Sequence, residues 1–329
     1  MKFAAVLIAV ALSVLIVPAA PATAGPASCT DSFLAVSLGP GQPADQQVFT
    51  RLCRPAGHPP DTVQLLVHGC LYNGLYWDFP DPTAGTDRYS FVAHAVRARY
   101  ATLAMDMLGT GRSTHPPSSQ ATVDAGGWVI HQVVQALRAA GFAKVIEVSW
   151  SFGTFFSWLE VSRYQDVDAA IFTGATHHLA VSPALLRDAL SLEPAGPDPG
   201  YLTTQPGTRQ RIFYDPGPAA PAVIAYDEAH KDLMTDSEIT GFPAALAEPL
   251  DIRVPVLLVL SSTDPLFCGA LATDCTSPAA MLAQERPYLG GHLPSATAYL
   301  LAGSGHALDL GLNATAAFTV EQEWVATAI

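Results

Sequence analysis

Apolar residues follow two patterns that alternate along most of the chain. Short runs of apolar and β-branched residues are typical of buried strands, and longer segments with apolar residues every three or four positions are typical of amphipathic helices. The short runs predict strands at residues 33–38, 47–52, 62–67, 101–107, 144–148, 169–172, 254–261 and 298–302. The longer segments predict helices at residues 89–99, 122–140, 155–164 and 315–329.

The order of these elements predicts an α/β fold. From residue 61 onward, strands and helices alternate in units of about 30 residues, which favours a mainly parallel central sheet with helices on both faces. The alternation is interrupted at about residues 177–250, where helix starts occur at Pro183, Thr208, Pro221 and Asp236 without a strand run. We therefore expect one α/β domain with a helical lid inserted before the strand at 254–261.

The N-terminal residues have the features of a secretory signal peptide. Lys2 supplies a positive charge, residues 3–17 are almost entirely apolar, and Ala22-Thr23-Ala24 fits the small-x-small cleavage rule. The apolar part is shorter than the roughly 20 residues that a membrane span needs. We expect residues 1–24 to be removed and residues 25–329 to form a secreted domain without a membrane partner.

The charge balance is acidic. The chain has 16 Lys and Arg residues against 29 Asp and Glu residues, a formal net charge of −13. Nucleic-acid binding depends on clustered basic residues, and this sequence has no basic run. A nucleic-acid partner is therefore not expected, and neither is a basic patch for membrane surfaces.

The five cysteines predict disulfides rather than a metal site, because an exported protein meets an oxidising compartment and no Cys-x-x-Cys is present. Cys29 and Cys53 flank the two N-terminal strands, and antiparallel pairing of those strands would bring them together. Cys268 and Cys275 are close in one loop and could close it. Cys70 would remain free. Other pairings stay open, because these assignments rest on geometry alone.

A candidate nucleophile lies in the sequence Ser149-Trp150-Ser151-Phe152-Gly153, between a predicted strand and a predicted helix. A serine on a tight strand-to-helix turn needs small residues two positions before and after it. Gly153 meets this requirement, and Ser149 replaces the usual first glycine. Ser149 itself fits less well as nucleophile, because Glu147 would then occupy a small position. The alternative is a turn serine without chemistry.

Asp264 and His306 each follow a predicted strand. The carboxyl ends of strands are where open α/β sheets bind ligands, and Ser, Asp, His is the chain order of one type of catalytic triad. Taken alone, Asp264 fits a turn before Pro265, and His306 fits a structural loop histidine. The coincidence of all three residues favours a catalytic site.

With these motifs, the chain resembles the α/β-hydrolase superfamily over residues 33–329, and residues 66–79 look like those of secreted bacterial serine hydrolases of the esterase or lactonase type. The resemblance rests on His68-Gly69, Asp106-x-x-Gly109-x-Gly111-x-Ser113, the Ser151 turn, Asp264 and His306.

The resemblance implies catalytic roles for the three residues. Ser151 would attack an acyl carbonyl, His306 would accept and return the proton, and Asp264 would orient the imidazole. The backbone N–H groups of Phe152 and Cys70 would form the oxyanion hole. No cofactor or metal is expected, because the nucleophile is a side chain.

Four further residues are candidates for the substrate pocket: Leu71, Tyr72, Trp150 and His177. Their alternative role is simple packing or, for His177, a solvated position beside His178.

The sequence thus predicts a secreted serine hydrolase that cleaves small-molecule carboxylic esters or lactones through an acyl-enzyme. Chemistry that needs a carboxylate nucleophile, such as epoxide hydrolysis, is disfavoured by the serine at position 151. A peptidase, a cofactor-free haloperoxidase-like enzyme and a catalytically silent binding protein remain alternatives.

Overall fold

A computed structural model describes residues 28–57 and 60–329, so the predicted signal peptide lies outside the described residues. In chain order the strands are β1 (Ser28–Val36), β2 (Gln46–Arg54), β3 (Thr62–Val67), β4 (Ala101–Met105), β5 (Lys144–Trp150), β6 (Ala169–Thr173), β7 (Leu192–Pro194), β8 (Tyr201–Thr204), β9 (Met234–Thr235), β10 (Val256–Ser261) and β11 (Ala296–Leu301). The α-helices are α1 (Phe91–Arg97), α2 (Val123–Ala139), α3 (Phe152–Tyr164), α4 (Leu186–Ala189), α5 (Pro221–Ala229), α6 (Asp236–Ala247), α7 (Pro278–Glu285) and α8 (Ala314–Ala328).

Eight strands form the central sheet, in the order β1-β2-β4-β3-β5-β6-β10-β11. The strands from β4 to β11 in this order run parallel, whereas β1 and β2 pair antiparallel with each other and β2 pairs antiparallel with β4. Helix α2 packs on α3, and α1 packs on α8, so helices flank the sheet. The predicted α/β fold class with a mainly parallel sheet is confirmed.

The central strands are apolar along their whole length because both of their faces are covered. Every residue of β4, β6 and β10 is buried, as expected for parallel strands between two helical layers. The long helix α2 begins where the Thr122 side chain accepts a hydrogen bond from the Ala125 N–H, and its apolar stripe faces the sheet. These layers fix the strand ends at which the candidate residues lie.

The segment between β6 and β10 differs from the all-helical expectation. Residues 177–250, the inserted segment, contain helices α4, α5 and α6 together with the small antiparallel sheet β7-β8-β9. The longest of these three strands has four residues, too few for a period-two pattern to be visible in the sequence. Helix α6 begins with a capping box in which Thr235 and Glu238 bind each other's backbone N–H.

Two disulfides are present. Cys29 and Cys53 lie directly opposite each other in the β1–β2 register and are bonded, and Cys268 is bonded to Cys275 in the loop after β10. Cys70 carries the one free thiol among the described residues. Within residues 28–57 and 60–329, no helix is both long and apolar enough to cross a membrane.

Candidate active site

Ser151 occupies the turn between β5 and α3 in a strained backbone conformation. Its φ and ψ are +54° and −125°, a combination that residues with a side chain rarely adopt. The turn is held by the Ser151 N–H, which donates to the Thr173 carbonyl at 2.8 Å. A Cβ on Gly153 would overlap the carbonyl oxygen of His68, so only glycine allows α3 to approach the preceding loop. The geometry presents the Ser151 hydroxyl at the carboxyl edge of the sheet.

Ser149, two residues earlier on β5, is fully buried. Its Oγ lies 3.1 Å from the hydroxyl of Thr154 on α3, and it does not line the cavity beside Ser151. A serine fits here in place of glycine because its hydroxyl is hydrogen-bonded within the turn.

His306 connects Ser151 to Asp264. The His306 Nε2 is 2.7 Å from Ser151 Oγ, and its Nδ1 is 2.8 Å from Asp264 Oδ2. A carboxylate only accepts hydrogen bonds, so Nδ1 carries the proton and Nε2 accepts from the Ser151 hydroxyl. The side chains of His306 and Asp264 are fully buried. The structure therefore brings the three predicted residues into one hydrogen-bonded chain.

The neighbouring backbone and rings fix the position of His306. The Trp150 indole N–H donates to the His306 carbonyl at 3.1 Å, and the Ala307 N–H donates to the Phe213 carbonyl at 2.7 Å. The imidazole lies between the rings of Phe213 and Phe267, with centroids 6.1 and 5.7 Å away. Both sides of the ring are thus shielded from water.

The two backbone N–H groups expected to form an oxyanion hole lie beside Ser151. Phe152 is the first residue of α3, so its N–H has no intrahelical acceptor. Among the described residues, the Cys70 N–H likewise has no hydrogen-bond acceptor, and both residues line the cavity that contains the Ser151 hydroxyl. Two unpaired donors at a nucleophile are suited to a developing negative charge on a substrate oxygen.

The loop after β3 is held by the inserted segment. Leu71 has a φ of +66°, its N–H donates to the Leu233 carbonyl at 3.1 Å, and its carbonyl accepts from the Asp232 N–H at 3.0 Å. The guanidinium of Arg209 also donates to the Leu71 carbonyl, at 3.3 Å. Because Leu71 follows Cys70 directly, these contacts orient the Cys70 N–H.

Arg209 belongs to a buried ion pair. Its guanidinium binds both carboxylate oxygens of Asp227, each at 2.8 Å, and the two side chains are 0% and 2% exposed. The hydroxyls of Tyr72 and Tyr214 donate to the same carboxylate at 3.0 and 2.8 Å. Asp227 therefore has four hydrogen bonds that compensate for its burial.

His68 shapes the loops around the site. Its Nε2 accepts the Met107 N–H at 3.0 Å, and its Nδ1 is 2.8 Å from the Gly69 carbonyl, to which it donates. Burial lowers the pKa of His68, which keeps this residue neutral. A second anchor is Asp106, whose carboxylate accepts the N–H groups of Gly74 and Arg112.

A narrow cavity opens beside the Ser151 hydroxyl. Its polar lining is limited to Ser151, His306 and Cys70. The remaining lining residues are apolar: Phe152, Phe155, Leu179, Val181, Leu186, Leu190, Phe213, Phe242, Leu266 and Phe267. Burial raises the pKa of the Cys70 thiol, so this thiol beside Ser151 stays protonated at neutral pH. The cavity suits an apolar group attached to a reacting carbonyl.

The comparison with known protein families agrees with this arrangement. Residues 64–318 match the sequence model of a family described as the alpha/beta hydrolase family. The chain belongs to the alpha/beta hydrolase family. No sequence among the curated proteins matches it.

Solved alpha/beta hydrolase structures share this fold at low sequence identity. A thermophilic esterase from Thermogutta terrifontis is 14% identical, with a TM-score of 0.58 and coverage of 91% of this chain and 99% of its own. The monoacylglycerol lipase of Paleococcus ferrophilus is 14% identical, with a TM-score of 0.59 and coverage of 86% and 99%. An N-acyl homoserine lactonase is 14% identical, with a TM-score of 0.53 and coverage of 90% and 97%.

Four residues expected at the pocket of this alpha/beta hydrolase do not line the cavity. Leu71 is fully buried by its contacts with the inserted segment, and the Tyr72 hydroxyl is bound to Asp227. Trp150 is fully buried behind Ser151, stacked on Tyr76 at 3.9 Å.

His177, the fourth of these residues, lies elsewhere. Its ring is stacked between Trp158 and Tyr288, and its Nδ1–H donates to the buried carboxylate of Glu285. The apolar cavity wall is instead formed by side chains of the inserted segment, of α3 and of the loop after β10.

Arg209 and Asp227 were not among the residues expected at the site from the sequence. One weak signal was available: Asp227 lies four residues after the buried Val223 on α5, which places it on the inward face of that helix. Arg209 has no comparable signal, because its partner lies 18 residues away and meets it only in the folded chain.

Proposed function

We propose that this alpha/beta hydrolase is a serine esterase that cleaves carboxylic esters, including cyclic esters such as lactones, through an acyl-enzyme. The observation that carries this proposal is the hydrogen-bonded chain from Ser151 through His306 to Asp264 at the end of an apolar cavity. The positions of the Phe152 and Cys70 N–H groups support it.

The first half-reaction forms the acyl-enzyme. Ser151 Oγ attacks the ester carbonyl carbon as its proton passes to His306 Nε2. The carbonyl oxygen becomes an oxyanion that accepts hydrogen bonds from the N–H groups of Phe152 and Cys70. His306 then returns the proton to the leaving alkoxide, and Asp264 stabilises the transient imidazolium.

The second half-reaction regenerates the enzyme. A water molecule gives a proton to His306 Nε2 and attacks the acyl carbon, forming a second oxyanion in the same place. Collapse of this intermediate breaks the bond to Ser151 Oγ, which recovers its proton from His306, and releases the carboxylic acid. For a lactone, the acid and the alcohol remain in one molecule.

The apolar cavity wall favours a substrate whose acyl or alcohol group is apolar and of small to medium size. Leu186 and Leu190 of the inserted segment line this space together with Phe152 and Phe155 of α3. We propose that the inserted segment acts as a lid, which fits small substrates better than long polymers.

We also propose secretion. The N-terminal signal features and the two disulfides support an oxidising location outside the cytoplasm.

The test is a panel of p-nitrophenyl esters of increasing acyl length, together with simple lactones, assayed on the wild type and on Ser151→Ala. We expect turnover of short to medium acyl chains that Ser151→Ala abolishes. Ser149→Ala is the matched control and should retain most activity, because its hydroxyl does not reach the cavity.

Two results would contradict the esterase proposal. The first is unchanged turnover by Ser151→Ala. The second is a folded wild type with neither turnover nor covalent labelling, a result that favours a catalytically silent binding protein. Peptide and peroxide substrates added to the panel test the peptidase and haloperoxidase-like alternatives.

A further inference from the structure

A second cluster of ionisable side chains lies away from the cavity, between β5, α2 and α3. The Nδ1 of His131 on α2 is 2.8 Å from Asp166 Oδ2 and 3.9 Å from Oε1 of Glu160 on α3. One ligand atom from each of these three residues lies within 4.8 Å of the others. Glu147 of β5 is buried next to Glu160, and the two carboxyl groups perturb each other's ionisation.

These buried acidic side chains lack the basic partners that buried carboxylates normally have. Glu147 and Glu160 are 0% exposed, and no backbone N–H donates to their carboxyl groups, which are close enough to hydrogen-bond each other when one of them is protonated. Asp166 Oδ2 lies beside His131 Nδ1 and accepts a hydrogen bond from Gln135 Nε2, whereas Asp166 Oδ1 is buried without a hydrogen-bond partner.

No lysine or arginine in the described part of the chain forms an ion pair with Glu147, Glu160 or Asp166. Buried polar groups are almost always partnered, and an uncompensated buried carboxylate is costly. The carboxyl groups of the cluster therefore have no lysine or arginine charge to balance them.

We propose that His131, Glu160 and Asp166 bind a divalent cation, with zinc as the best match, and that Glu147 lies behind it as a further carboxylate. An imidazole nitrogen with two carboxylate oxygens is a donor set that zinc accepts, a water molecule completing the tetrahedron. Ligand atoms at zinc distances lie about 3.3 Å apart. His131 Nδ1 lies 2.8 Å from Asp166 Oδ2 and 3.9 Å from Glu160 Oε1, which is on either side of that value. The side chains of His131 and Asp166 are 20% and 17% exposed, which gives an ion access from solvent.

Such an ion would join three elements around the candidate nucleophile. Glu147 lies on the strand that enters the Ser151 turn, Glu160 on the helix that leaves it, and His131 on the adjacent helix α2. The ion would hold α2 to α3 next to β5 without touching substrate. This inference is independent of the proposed esterase activity.

The test uses the mature protein, stripped with EDTA and then titrated with ZnCl₂ at pH 7. Calorimetry measures the stoichiometry and Kd, and thermal unfolding is recorded with and without zinc. We expect one ion per chain and a higher Tm with zinc. In His131→Asn and Glu160→Gln, the Kd for zinc should rise at least about tenfold, or binding should disappear. The increase in Tm with zinc should shrink or disappear in the same variants.

Two matched controls separate this site from others. Glu321→Gln alters another fully buried, unpartnered glutamate, and His292→Asn alters an exposed pair in which His292 Nδ1 is 2.7 Å from Asp251. Both variants should bind zinc like the wild type. If Glu160→Gln does not fold, His131→Asn tests the same site by itself.

The proposal is overturned by either of two outcomes: the stripped wild type takes up no zinc and its Tm does not change, or zinc binds with unchanged Kd in a folded His131→Asn. In the first case, Glu147 and Glu160 share a proton instead. Neither outcome depends on hydrolytic activity, so failure here and failure of the esterase proposal are distinguishable.

Discussion

Arg209 donates a hydrogen bond to the carbonyl oxygen of Leu71, so a buried side chain of the inserted segment holds the backbone next to the Cys70 N–H. This contact depends on Asp227, which binds the Arg209 guanidinium through both carboxylate oxygens. The ion pair therefore links the inserted segment to the proposed oxyanion hole.

Asp227→Asn should lower kcat by up to about 100-fold while changing KM little, because a shifted Cys70 N–H no longer meets the developing oxyanion. The variant leaves Arg209 without its charge partner, so it should also lose about 3–5 kcal/mol of stability. Tyr214→Phe removes one hydrogen bond from Asp227 and should cost only about 1 kcal/mol. Steady-state kinetics below each variant's Tm measure the effect.

The control for this prediction is Arg187→Ala, which removes a half-exposed ion pair with Asp236 in the same segment. It should leave kcat and KM unchanged. An Asp227→Asn variant with wild-type kcat would show that the ion pair serves stability alone.

A fluorophosphonate probe should label Ser151 and leave Ser149 unmodified. The Ser151 hydroxyl lies in the cavity and is hydrogen-bonded to His306, whereas Ser149 is fully buried against Thr154. Peptide mapping by mass spectrometry locates the adduct. An adduct on Ser149, or none on active protein, would contradict the assignment.

Asp264→Asn should reduce turnover by about 10⁴-fold with little change in folding. The asparagine can present its amide to His306 Nδ1 and favour the tautomer in which Nε2 carries the proton, so the imidazole cannot accept the Ser151 proton. Kinetics and circular dichroism measure the two effects. Near-wild-type turnover would mean that another group orients His306.

Replacing Cys268 and Cys275 with serine should reduce turnover more than it reduces Tm. The disulfide closes a short loop, which stabilises the fold by only about 2–3 kcal/mol on the loop-entropy estimate. The same loop is anchored to Asp264, because the Cys268 N–H donates to the Asp264 carbonyl at 2.8 Å and the Leu266 N–H donates to Asp264 Oδ1. Kinetics and calorimetry on the double variant test this expectation.

The matched control is the double serine variant of Cys29 and Cys53, which removes the disulfide between the edge strand β1 and its neighbour β2. That variant should lower Tm while leaving kcat unchanged. Equal losses of turnover in both double variants would indicate a general effect on folding.

Stability should fall as pH rises from about 4 to 8. Burial raises the pKa of Asp309 to about 8, so its protonated form is favoured in the folded chain. Its stabilising effect is complete below the pKa of the unfolded state and is lost as pH rises through the folded value. Glu321, whose pKa is raised by burial and by the charge of Asp309, acts in the same direction.

The asparagine of the Asp309→Asn variant cannot ionise. The Tm of this variant should therefore decline less between pH 5 and pH 8 than the Tm of the wild type. Differential scanning calorimetry at several pH values measures the slope. Parallel declines in the two proteins would assign the pH dependence to other buried acids, such as Glu238, whose burial raises its pKa to about 8.

The sheet and the residues at its carboxyl edge could be predicted because each depends on local sequence. The strand before Ser151, the strand before Asp264 and the strand before His306 are apolar runs, and parallel strands place their ends together. The start of α3 was predicted three residues too late, because the helix begins directly after the strained Ser151.

Features that depend on distant parts of the chain were not predictable. The cavity wall comes from Leu186 and Phe242 of the inserted segment, whose positions are set by tertiary packing. Trp150 is adjacent to Ser151 in sequence but is buried behind it, since consecutive residues at the end of a strand face opposite sides.

Gly305 and Gly217 allow the His306 loop and the inserted segment to touch backbone to backbone. A Cβ on Gly305 would overlap the Tyr214 carbonyl, and a Cβ on Gly217 would overlap the N–H of Gly305. Residues 213–217 therefore pack backbone to backbone against the loop that carries His306, and a change in their position would disturb His306 as well. Leu186 and Leu190 line the cavity without such a contact to Gly305, so we expect a chimera that exchanges helix α4 to alter substrate preference while leaving the hydrogen bond between His306 and Ser151 intact.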